Sequence, residues 1–89
     1  MTTKKLFNDD NTYTQDGLDL AASIHPLVVA QVNDLLSKGY NLRTVLGPAS
    51  VPSEDASAYG VCPREFQAVW ISEVFDITLD RILFNETNH

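Results

Sequence analysis

The sequence predicts an all-α fold, a small irregular bundle of three to four helices with a long C-terminal helix. Two observations point to it. From Thr14 onward apolar residues recur at the three-and-four spacing of an amphipathic helix. Prolines and glycines fall where such segments begin and end. The size of the chain bounds the rest: its 89 residues make one domain, and a hydrophobic fraction of 44% with 20% charged residues is ordinary for a globular protein. A chain this short buries only roughly 60–65% of the surface its unfolded form exposes, so a subunit partner is expected to help it.

Residues 1–13 are polar, mixed in charge and without period. They are expected to form a flexible N-terminal arm unless Leu6, Phe7 or Tyr13 pins them to the body, a single helical domain over 14–89. Thr14 is a suitable cap for a first helix over about 15–24, with Leu18, Ala21 and Ala22 on one side and Asp16 and Asp19 near its positive end. His25-Pro26 is expected to interrupt it, because a residue before proline disfavours the α region and proline suits the first position of a new helix. In that second helix Val28, Val29, Val32, Leu35 and Leu36 make one apolar stripe, and Gly39 stands where a left-handed C-terminal cap belongs. Asn41 is placed to cap a short third helix carrying Leu42, Val45 and Leu46, which Gly47-Pro48 ends. The stretch 47–60 reads as a long loop, rich in breakers, in which Pro52-Ser53-Glu54-Asp55 suits one helical turn capped by Ser53.

Pro63 opens the longest helix, expected to reach about Phe84. At about 100° per residue, Phe66, Trp70, Val74, Ile77 and Phe84 cluster in one apolar sector. A second sector holds Ala68, Ile71, Phe75, Leu79 and Ile82, with Gln67 and Thr78 between the two. Glu65, Glu73, Asp76 and Asp80 occupy most of what remains. A helix apolar on two sides must lie between elements, and three short helices cover only one of those sides. The second side is therefore expected to meet a copy of the same chain or another protein. Phe66, Trp70, Ile71, Phe75 and Phe84 are the anchors, since aromatic side chains dominate both cores and interfaces.

Charge and motifs exclude several function classes. Six Lys plus Arg against twelve Asp plus Glu give a net charge of −6, which repels nucleic-acid phosphates and anionic lipid heads. No apolar run approaches the length of a membrane span, and the N-terminus lacks a signal-peptide core. A single cysteine, Cys62, makes no intramolecular disulfide, so a reducing cytoplasm is the expected compartment. Two histidines, one of them His89, and one cysteine stand in no metal-ligand spacing, and the four glycines stand singly, without a phosphate loop. No metal, cofactor or catalytic role is expected.

The function expected is thus a non-catalytic protein-binding module, a small acidic inhibitor, adaptor or regulator of a larger cytoplasmic protein, acting as a homodimer. Its size and acidity are of the kind that phages and mobile elements deploy against host machinery, an analogy of class with no motif behind it. The alternative is an inhibitor that imitates nucleic acid, in which Glu65, Glu73, Asp76 and Asp80 present a row of negative charge in place of phosphates. A third reading is a thiol enzyme. It would use Cys62, which precedes Pro63 at the positive end of the long helix beside Arg64.

Overall fold

The computed structural model describes residues 4–87, with side chains to residue 84. Residues 1–3 of the expected arm, and His89, lie outside the described residues. Among the described residues three helices make up the fold: α1 over Gln15–Ser37, a 3₁₀ helix over Ser53–Tyr59, and α2 over Pro63–Thr87.

The segment before α1 is held against the body at Leu6, whose side chain is fully buried in the core. Asn11 adopts a left-handed conformation at a tight turn, and Phe7 and Tyr13 pair across it as an isolated antiparallel bridge. Asp10 stiffens that turn, its carboxylate accepting from both the backbone N–H (3.1 Å) and the hydroxyl (2.6 Å) of Thr12. These bonds hold the Asp10 carboxyl below the usual carboxylate range. Thr14 then caps α1, accepting from the Gly17 N–H at 3.1 Å while its own hydroxyl donates to the Lys5 carbonyl. Gly17 is required by this closeness, because any side chain there would overlap the Leu6 carbonyl oxygen.

In place of the two helices expected on either side of His25-Pro26, α1 runs unbroken through Pro26. The reason is tertiary. Leu20, Ala21, Ile24, Val28, Val32 and Leu35 form one continuous buried stripe that spans the proline, and a break would throw the second half out of register with the core. Proline removes only the bond to the carbonyl four residues back, that of Ala22, and both residues are exposed, so water reaches the freed group. The helix ends as Gly39 implies: Gly39 has φ +104°, its N–H reaches the Leu36 carbonyl at 3.1 Å, and the Tyr40 N–H reaches Leu35 at 3.2 Å.

The short third helix expected after Asn41 is a run of turns instead. Asn41 still acts as a cap, its side chain accepting from the Arg43 N–H at 3.0 Å. Over 41–47, however, only Val45 is buried, too little to offset the cost of nucleating a helix. In the 47–60 stretch the helical turn is longer than expected. It begins at Ser53, with Pro52 before it and no side-chain cap, buries Ala56 beneath α2, and stops at Gly60 in the left-handed region. Leu6, Ile24, Val28, Val32, Phe66, Val69 and Val74 are the centre of the core.

Candidate functional site

One apolar face of α2 is the core face. Phe66, Val69, Trp70, Val74 and Ile77 are buried against α1 and the 3₁₀ helix, and the Phe66 ring lies 5.7 Å from Tyr59 and 6.0 Å from Trp70 between centroids. Polar contacts fix its orientation. The Trp70 indole N–H donates to Gln31 Oε1 at 3.2 Å, and Gln31 Nε2 donates to the Ser50 carbonyl at 2.7 Å, tying α2, α1 and the 47–60 stretch together. Phe66 and Trp70 are therefore core.

The other face is exposed among the described residues. Ile71, Phe75, Leu79 and Leu83 are 42, 53, 41 and 50% exposed, and they follow one another at intervals of four residues, a single row along the helix. Ala68 is exposed beside it. Next to Ile71 the row opens into a groove of about 350 Å³ whose walls are Leu46, Ala49 and Val51 on one side and Gln67, Trp70 and Val74 on the other. Leu46 and Leu83 were not among the expected anchors. The spacing of Leu83 from Leu79 carries the signal for it, whereas Leu46 joins the surface only through the path of the turns after Asn41.

Phe84 departs from its expected place. By angle it shares the face of Phe66 and Trp70, yet it is 67% exposed. Burial of α2 stops at Thr78, and the turns beyond it carry their apolar residues past the elements that cover the first face.

The four acids are not equivalent. Asp76 and Asp80 are exposed one turn apart, and Glu65 is half-buried. Glu73 is turned inward, its side chain only 13% exposed and its Oε1 3.6 Å from His25 Nδ1 on α1. The outward row of charge is thereby shortened to Asp76 and Asp80, with Glu65 to one side. Arg81, which the spacing places close to these acids, reaches α1, where its Nη1 donates to Asn33 Oδ1 at 2.8 Å. Tyr13 also reaches this region. Its hydroxyl is buried without a hydrogen-bond partner. Its pKa is raised above the ordinary tyrosine value, mainly by burial and further by the charges of Glu73 and Asp76, while Ser72 acts the other way without completing a hydrogen bond of good geometry.

Cys62 is a free, half-buried thiol one residue before α2. Among the described residues, no three His, Cys, Asp or Glu side chains converge as a metal site would require, and no helix is long and apolar enough to cross a membrane. The arrangement offers apolar contact along the α2 row and its groove, with Asp76 and Asp80 at the margin. Compared with family models, curated proteins and solved structures, the chain matches none.

Proposed function

We propose that this chain is a non-catalytic protein-binding module, a small inhibitor, adaptor or regulator that works by occupying a surface of another protein in the cytoplasm. The observation that supports the reading is the exposed row Ile71, Phe75, Leu79 and Leu83. Scattered exposed apolar residues are ordinary on a monomer and carry no meaning one by one. Four large ones in a continuous row, with a groove at one end, form a patch of roughly 400 Å², within the range of the largest patch on a typical monomer, which is often a functional surface. The row lies on a helix anchored through its opposite face, so presenting it needs no ordering of the backbone.

The acidic residues belong to the rim of the same surface. Charges at a rim steer association and select partners more than they add affinity. A second copy of the chain is the first occupant to consider.

The test is recovery of bound proteins from the native cell by the wild-type chain and by a Phe75→Asp/Leu79→Asp variant, with circular dichroism confirming that both are folded. The variant is expected to lose the proteins that the wild type retains. Recovery of the same set by both chains would end the reading.

A further inference from the structure

We propose that the occupant of the open α2 row is a second copy of this chain, packed row against row around Phe75 and Leu79. The proposal rests on the open face being a protein-binding surface and names what binds there.

The row matches itself. In a two-fold dimer each patch must be complementary to its own image. Ile71, Phe75, Leu79 and Leu83 are evenly spaced by four residues and read alike from either end about residue 77: Phe75 and Leu79 inside, Ile71 and Leu83 outside. Rows of this i, i+4 kind on two helices interdigitate at a crossing angle of about −50°, the commonest way in which helices pack in globular proteins.

The centre of the contact is free of charge. Ser72 and Ile82 share the face of the row, while Thr78 borders it on one side and Asp76 on the other. The Thr78 hydroxyl already donates to the Phe75 carbonyl at 2.9 Å. Two copies that cross over Phe75 and Leu79 therefore leave Asp76 at the border of the contact, outside its centre, and so avoid burying an unpaired charge, the arrangement that costs most at an interface. Asp76 and Asp80 stay at the edge, where water still reaches them.

The area is sufficient. The chain exposes 5880 Å², where roughly 5,200 Å² is usual for a monomer of this mass. Pairing two apolar patches of roughly 400 Å² each removes about 800 Å² of apolar surface from water. With the polar rim counted, since interface cores are about 65% apolar, the interface comes to roughly 1,200 Å² in total, at the lower edge of the class that forms stable, specific complexes.

Sedimentation velocity of the full chain over a range of concentration tests this. A dimer is expected at micromolar concentration, and Phe75→Asp is expected to weaken it about 100-fold, as the loss of a central hot-spot side chain does. Leu83→Asp, at the outer end of the row, is expected to weaken it in the same direction. Leu27→Asp changes an equally exposed apolar residue on α1 and is expected to leave the dimer unchanged. A single 9.9 kDa species at every concentration overturns the proposal, as does a dimer that Phe75→Asp and Leu83→Asp leave intact.

Its failure is separable from failure of the wider reading. A monomer whose Phe75→Asp/Leu79→Asp variant loses its bound proteins overturns only the second copy. A dimer that Phe75→Asp dissociates, but from which no other protein is ever recovered, upholds the second copy and overturns the regulator.

Discussion

Tyr13 stands where the N-terminal turn meets α2, and its two ends have opposite surroundings. Its ring lies tilted against that of Phe7, 5.3 Å between centroids, and packs against the core. Its hydroxyl is buried without a partner, beside the acids of α2. A buried unpaired hydroxyl costs about 1–3 kcal/mol relative to the same group in water. Tyr13→Phe keeps the ring and removes that cost, so chemical denaturation at neutral pH is expected to find the variant as stable as the wild type, or about 1 kcal/mol more stable. The pH dependence has a definite sign. The folded-state pKa is raised, so the neutral phenol is the favoured form in the native state. Its contribution to stability is fully present below the unfolded value near 10 and is lost as pH rises through the folded pKa. Wild type is expected to lose stability in that alkaline window, and Tyr13→Phe is expected to lose less.

At the scale of elements, α1 shows where local rules yield to packing. Pro26 lies inside a helix of 23 residues and is exposed, so it contributes nothing to the core and withholds one backbone hydrogen bond. Proline in a helix interior costs about 3 kcal/mol, part of it returned through the lower entropy of the unfolded chain. Pro26→Ala is expected to stabilise the protein by about 1–3 kcal/mol in thermal or denaturant unfolding. A loss of stability would show that the helix depends on a bend at this point. The start of α2 at Pro63, the Thr14 cap, the Gly39 cap and the two apolar faces of α2 are all read from local chemistry and helical angle, and the structure has them. The continuity of α1 is not readable in that way, because His25-Pro26 is a genuine local stop that only the shared stripe from Leu20 to Leu35 overrides. The inward turn of Glu73 depends on where α1 carries His25. The exposure of Phe84 depends on where the cover of α2 ends. Helical angle alone contains neither.

At the scale of the whole molecule, the net charge of −6 and the exposed row oppose each other. The row favours association of two copies, while twelve acids against six bases on each copy resist it. With charge centres roughly 25 Å apart in water, two charges of −6 repel by about 6 kcal/mol before screening. At 0.01 M salt, where the Debye length is about 30 Å, roughly 2–3 kcal/mol of that repulsion survives; at 0.1 M, with a length of about 10 Å, it falls below about 1 kcal/mol. Raising sodium chloride over this range is therefore expected to tighten the dimer by about 10- to 50-fold, measured as the dissociation constant from sedimentation equilibrium. Asp76→Asn/Asp80→Asn, which removes two negative charges from the rim, is expected to flatten that dependence. A complex with a cationic protein would respond in the opposite direction, weakening as salt screens the attraction between unlike charges. The sign of the salt dependence thus separates the two occupants of the α2 face: a second acidic copy held by apolar contact against its own charge, or a basic partner drawn to Asp76 and Asp80.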